Sequence, residues 1–249
     1  MQTNNNICGN DAGDARGNIC GNACGKNDKS DKNDKSDKSG NIRGAFISLE
    51  GGDGSGKSTQ LKLLTDYLTE NGYDCVFTRE PGGTKISEKI REIILDAANK
   101  EETDETEALL YAAARAQLVK EVIIPSVKNG KIVVCDRFID SSVAYQGYAR
   151  GLGKDFIDKI NSYPIEHCMP DVTLFFDITP ERAFLRKGGA DKNDRIEQSG
   201  REFHEKVYEG YKKQLEDFPE RIAAINAEQS VEKVFEDVLS VLRNRKIIR

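Results

Sequence analysis

The sequence predicts an α/β fold, a three-layer α/β/α domain built on a five-stranded parallel sheet. Three observations predict it. From Gly44 onward, short apolar runs alternate with helical stretches, the order in which βα units are written. Those apolar runs are continuous rather than alternating, as expected of strands covered on both faces. The first of them runs straight into a glycine-rich turn that opens a helix.

Each element follows in order. Ala45-Phe46-Ile47-Ser48-Leu49 reads as a short buried strand. After the glycine-rich turn, Leu61, Leu64 and Leu68 share one helix face, and Asn71-Gly72 stops that helix. Tyr73 to Thr78 is a second strand, followed by a helix from about Thr84 to Ala98. Asp104 with Glu107 has the spacing of a capping box, opening a long helix through Ala112 and Leu118. Pro125 is expected to kink or end it. Lys131 to Cys135 is the third strand, Asp171 to Phe176 the fourth, and Ile222 to Ile225 the fifth.

Residues 1–43 differ in kind from residues 44–249. Asn, Gly, Asp, Lys and Ser dominate them, and Lys26, Lys29, Lys32, Lys35 and Lys38 interleave with Asp28, Asp31, Asp34 and Asp37. Such a segment buries too little surface to offset its ordering entropy, so a disordered tail is expected, followed by one domain. The charges of the repeat nearly cancel, which makes it no basic arm.

Composition narrows the classes of function. The 249 residues carry 32% charged and 7% aromatic side chains and a formal net charge of −5. That balance lacks the basic footprint of a nucleic-acid binder. No window approaches the roughly 18 apolar residues of a membrane span. The N-terminus has no apolar segment and carries acidic residues, against a secretory or transit peptide, so a cytoplasmic protein is expected. Six cysteines are widely spread, with one Cys-x-x-x-Cys (Cys20 to Cys24) and no partner pair, so free thiols in a reducing compartment are expected rather than zinc.

The chemistry is concentrated in three places. Gly51-Gly52-Asp53-Gly54-Ser55-Gly56-Lys57-Ser58 fits G-x-x-x-x-G-K-[ST] without a mismatch, after a strand and before a helix. Its glycines let backbone N–H groups, with the helix N-terminus, cradle phosphate oxygens. Lys57 can reach the β- and γ-phosphates of ATP, and the Ser58 hydroxyl can ligate Mg²⁺. Thr59 completes the ATP-binding stretch. Asp136-Arg137 ends the third strand, at the edge where ligands bind in open α/β sheets. Asp136 can hold Mg²⁺, and Arg137 can clamp a phosphate bidentately. A plain surface ion pair would carry the same two residues.

Read together, three segments resemble the thymidylate kinase family, a branch of the P-loop NTPase fold: the P-loop, Arg79-Glu80-Pro81-Gly82-Gly83-Thr84, and Asp136-Arg137-Phe138-Ile139-Asp140-Ser141-Ser142-Val143-Ala144-Tyr145-Gln146. Tyr111-Ala112-Ala113-Ala114-Arg115 and Asp194-Arg195-Ile196-Glu197-Gln198 add to the match, which runs from about Gly44 to the C-terminus. The resemblance implies phosphoryl transfer from ATP to dTMP with Mg²⁺, by a homodimer, in dTTP biosynthesis. It implies an aromatic stacked on thymine at Tyr111 (most relatives have Phe there), a base-oxygen donor at Arg115, and a clamp on the acceptor phosphate at Arg137. Asp53 matches an acid near the acceptor's ribose and phosphate, and Glu80, Ser141 and Gln146 match other acceptor-site positions.

Some family members carry an Arg in the P-loop where this chain has Gly54. The neutralising cation is then expected from a mobile lid around Gly188-Gly189, which holds Arg186, Lys187, Lys192 and Arg195; Ala190 stands where some relatives place a lid Arg. Of these, Arg186 and Arg195 are the candidates. Two other classes stay in view. A GTPase switch would show Asn-Lys-x-Asp after a strand, and a motor ATPase an acidic pair where Asp136 is followed by Arg137; neither pattern is present. A kinase of broader monophosphate range is the nearer alternative.

Overall fold

The structure, a computed structural model, describes residues 43–188 and 194–249. The expected tail up to residue 42, and Gly189, Ala190 and Lys192 of the expected lid, lie outside the described residues. Arg43, assigned to the tail, is described and pairs with Asp171 at 2.7 Å.

Five strands form one parallel sheet: β1 (Ala45–Glu50), β2 (Cys75–Arg79), β3 (Ile132–Asp136), β4 (Val172–Asp177) and β5 (Ile222–Asn226), in the order β2-β3-β1-β4-β5. Ile47, Leu49, Val134, Leu174 and Phe176 face one layer, where Leu64 and Leu68 of α1 (Lys57–Glu70) meet Val234, Val238 and Leu242 of α10 (Val231–Asn244). Phe46, Val133 and Cys135 face the opposite layer, against Leu118, Val119, Ile123 and Phe138. Successive strand residues point to opposite faces, and both faces are covered; that is why the apolar runs are unbroken. Phe175 and Ile222 pack under Val207 and Tyr211 of α9 (Arg201–Asp217).

Strand and helix boundaries shift by one to three residues from the sequence reading. The helix expected from Thr84 to Ala98 is α2 (Lys85–Leu95), with Thr84 as its N-cap accepting from Ser87 N at 3.1 Å. Two expectations for α3 (Asp104–Leu118) are corrected. Thr103 is the N-cap, accepting from Thr106 N, while Asp104 reaches Arg150 at 3.3 Å. Glu107 does not turn back to close a capping box; it is fully buried and engaged elsewhere. Nor does Pro125 end the helical path. A π-turn over Val119–Ile123 follows α3, with Ile124 N–H donating to Val119 C=O, and α4 (Ile124–Lys128) carries Pro125 near its start. The wider turn makes room for a proline, whose absent N–H costs least at a helix start.

The remaining helices among the described residues are α5 (Ile139–Ser142), a π-helical stretch Val143–Ala149, α6 (Lys154–Ile160), α7 (Ser162–His167), α8 (Pro180–Lys187) and a 3-10 turn Glu197–Ser199. Registration decides what meets what. Leu49 pairs with Asp136, and Asp136 with Arg79. The carboxyl ends of β1, β2 and β3 therefore lie side by side. Arg137 N–H donates to Leu49 C=O at 2.9 Å, and Glu80 N–H to Asp136 C=O at 2.9 Å.

Candidate active site

Two of the clefts that the described residues form at this edge of the sheet share a wall. The first, about 700 Å³, is lined by the P-loop from Asp53 to Gln60, by Asp136 and Arg137, by Arg186 and Lys187 of α8, and by Ala227 and Gln229 to Val231 after β5. The second, about 200 Å³, is lined by Arg79, Glu80, Arg91, Tyr111, Arg115, Ser141, Tyr145 and Gln146, among others. Asp53, Asp136, Arg137 and Glu197 line both. A group carried in one cleft can thus meet a group carried in the other at these four residues.

The P-loop supplies cations and N–H groups to the first cleft. Lys57 folds back onto the loop, donating to the carbonyls of Gly51 at 2.8 Å and Gly52 at 2.9 Å. Burial, with the charge of Arg137 beside it, lowers its ammonium to about 8 against the pull of Asp53, Asp136 and Glu50. Gly54 has a φ of +82°, and a Cβ there would come within 2.2 Å of the Ala183 carbonyl of α8. No Arg can stand at that position while α8 sits where it does. Arg186 and Lys187 of that same helix line the cleft instead, Arg186 donating to Ala227 C=O at 2.6 Å and Lys187 paired with Glu197.

Arg137 stands at the junction in a left-handed conformation, with a φ of 71°. Its Nη2 donates to Asp53 Oδ1 at 2.6 Å and its Nη1 to Gly51 C=O at 2.9 Å. Burial alone would raise the Asp53 carboxyl, but Arg137 and Lys57 hold it well below the usual range. Glu50, fully buried one residue before the loop, fixes the turn that carries Arg137. It accepts from Phe138 N–H at 2.7 Å, Ser141 Oγ at 2.6 Å and Tyr211 OH at 2.9 Å. Burial, and then Asp140, push its carboxyl upward.

The second cleft has a charged floor. Arg115 is 1% exposed, and its guanidinium is largely spent inside the protein. Nε donates to Glu80 Oε2 at 2.7 Å, Nη1 to Asn161 Oδ1 at 2.7 Å, and Nη2 to Ser142 Oγ at 3.0 Å and Phe138 C=O at 3.2 Å. Burial pushes Glu80 up to about 7 although Arg115 opposes it. The other Glu80 oxygen, Oε1, is buried without a partner among the described residues. Tyr111 is half-buried one turn before Arg115, on the same side of α3. Ser141 is turned to Glu50 and Tyr211, and Gln146 to Glu107.

Most of the residues expected from sequence converge here. Arg195 does not reach the P-loop in this conformation: its Nη2 bonds Glu107 at 2.7 Å and its Nε the Ile94 carbonyl at 3.2 Å. Sequence reading missed Glu50, Arg91, Tyr145 and Tyr211 as site residues, and it named Lys187 among the lid cations without choosing it. Glu50 adjoins the P-loop and Tyr145 lies within a quoted motif, so position hinted at both; Tyr211, on α9, gave no local sign. Asp136 Oδ1 is buried without a partner among the described residues, beside a cleft also lined by Ser58. One carboxylate and one hydroxyl suit Mg²⁺, which takes its other ligands from phosphates and water.

The thymidylate kinase family model matches residues 49–238. A thymidylate kinase of Oceanobacillus iheyensis is 52% identical over 204 residues, 81% of this chain and 90% of its own. One from Clostridium novyi is 51% identical over 203 residues, covering 81% of this chain and 99% of its own. A crystal structure of thymidylate kinase from Ehrlichia chaffeensis superposes with a TM-score of 0.64 at 33% identity, covering 80% of this chain and 99% of that one.

Proposed function

This chain belongs to the thymidylate kinase family and phosphorylates dTMP to dTDP with ATP; from that premise we propose how its two clefts divide the work. The 700 Å³ cleft on the P-loop holds ATP, and the 200 Å³ cleft holds dTMP. The observation that carries this reading is the shared wall: Asp53, Asp136, Arg137 and Glu197 line both clefts.

Phosphoryl transfer asks the protein for position and charge rather than for a nucleophile. An oxygen of the dTMP phosphate bonds to the γ-phosphorus as the bond to the β,γ-bridging oxygen breaks, and ADP leaves. Lys57, released from the Gly51 and Gly52 carbonyls, meets the β- and γ-phosphates. Arg137, braced by Asp53, presents N–H groups to the acceptor phosphate. Arg186 and Lys187 bring cations from α8, and Arg195 becomes a third source if the lid moves it inward. Thymine stacks on Tyr111, with Arg115, Ser141, Gln146 and Glu80 around it. Ser58 and Asp136 would hold Mg²⁺, which when bound offsets charge on the β- and γ-oxygens. Gly51 to Gly56 and Thr59 wrap the nucleotide phosphates.

A homodimer fits the exposed Ile86 and Ile93, seven apart on α2, beside exposed Leu109 on α3. Free Cys75, Cys135 and Cys168 fit a reducing cytoplasm. Among the described residues no helix is long and apolar enough to cross a membrane. An ADP-coupled assay across dTMP, dUMP, dCMP, dAMP and dGMP tests the assignment. The highest kcat/KM is expected with dTMP, and a preferred purine acceptor would refute it.

A further inference from the structure

Glu107 was expected to cap a helix, and the structure gives it another place. It is fully buried one turn before Tyr111 on α3. Its Oε1 accepts from Gln146 Nε2 at 2.8 Å. Its Oε2 accepts from Arg195 Nη2 at 2.7 Å and Arg150 Nη2 at 3.1 Å. Both oxygens are thus met by N–H donors, an amide on one and two guanidinium groups on the other, and both accept. Gln146 must therefore turn its amide nitrogen toward α3. Its carbonyl oxygen then faces the other way, and it has no partner among the described residues. Gln146 is 2% exposed and lines the dTMP cleft with Tyr111 and Arg115.

We propose that Glu107 is a positioning residue for base specificity: it locks the Gln146 amide so that the cleft presents a hydrogen-bond acceptor to the base. The proposal rests on the assignment of this cleft to dTMP. Thymine carries a donor at N3 and cytosine an acceptor there. A fixed carbonyl meets the first with a hydrogen bond and the second with a repulsive, unpaired contact. Without Glu107 the amide is free to flip and to donate to cytosine N3. The bond to Glu107 on α3 is what fixes which way the Gln146 amide points.

The test is the ratio of kcat/KM for dTMP to that for dCMP, which the fraction of folded enzyme does not move because both substrates see the same sample. Glu107→Gln offers Gln146 either a donor or an acceptor, and the ratio should fall by about tenfold or more. Gln146→Ala should lower it similarly, and the double variant should fall no further than Gln146→Ala alone. An unchanged ratio in Glu107→Gln, or a multiplied loss in the double variant, overturns the proposal. Should Glu107→Gln not fold, Glu107→Asp keeps the charge for Arg150 and Arg195 while withdrawing the acceptor from Gln146 by one methylene. The same fall is expected there, and an unchanged ratio again overturns it. Failure of the dTMP assignment itself would look different, because the parent enzyme would then show no preference for dTMP.

Discussion

Replacing Arg115 with alanine tests how this cleft is built. The resemblance gives Arg115 the task of donating to a base oxygen, yet its donors already go to Glu80, Asn161, Ser142 and the Phe138 carbonyl, at 1% exposure. Removing it leaves the Glu80 carboxyl buried without a counter-ion and several acceptors unpaired. Breaking a buried ion pair from one side typically costs about 3–5 kcal/mol. For a domain of about 200 residues, each kcal/mol moves the melting point by about 2–4 °C, so Arg115→Ala should melt about 6–20 °C below the parent. Thermal melts followed by circular dichroism measure this directly when run above the value of about 7 at which Glu80 ionises. Arg115→Lys should not restore the loss, since one ammonium cannot span partners spread around a planar fork. A variant melting within about 2 °C of the parent, with only its base preference damaged, would show that Arg115 reads the base and does not brace the fold.

Four further outcomes are expected. Glu80 has a folded-state value of about 7, above the roughly 4.3 of an unfolded chain, so the native state holds an extra proton between them. Stability from this group is full below about 4.3 and is lost as pH rises through about 7; Glu80→Gln should flatten that part of a urea-denaturation profile. Lys57→Ala should lower kcat by about 100- to 1,000-fold in the coupled assay while leaving the melting point within a few degrees, because Lys57 bonds loop carbonyls rather than core. Asp136→Asn should raise the Mg²⁺ concentration for half-maximal activity by about tenfold or more in a metal titration at fixed ATP. A chain beginning at Gly44 loses the exposed Arg43–Asp171 pair, worth up to about 1 kcal/mol, and should keep its melting point and kcat/KM nearly unchanged.

What could be read from the sequence was what short stretches encode by themselves. The strands at Ala45, Lys131 and Asp171 showed because two covered faces leave no polar alternation, and the P-loop showed because its spacing is local. What could not be read was the choice among partners distant in sequence. Asp104 and Glu107 have the spacing of a capping box, but Arg150 and Arg195 lie beyond any local window and claim both acids. Arg115 finds Glu80 at a separation of 35 residues, and Glu50 finds Tyr211 at 161. Arg195 matches a lid motif, yet in this conformation it binds acids near α3. Pro125 was read as a kink or an end; it ends nothing, because a π-turn precedes it and the helical path resumes through it.

The π-turn over Val119–Ile123 amounts to one surplus residue in an otherwise continuous rod. Upstream, the rod carries Tyr111 and Arg115 to the dTMP cleft; downstream, Val127 packs in the core beneath the sheet. One residue of helix is about 100° of rotation. Deleting a single residue from this turn would bring the backbone to α-helical spacing, with Pro125 then inside an α-helix, where it can donate no ladder bond. The two halves would then point their working faces about a quarter-turn out of phase, so that one could dock only by withdrawing the other. Sequences of this family should therefore tolerate substitutions in the segment far better than changes in its length.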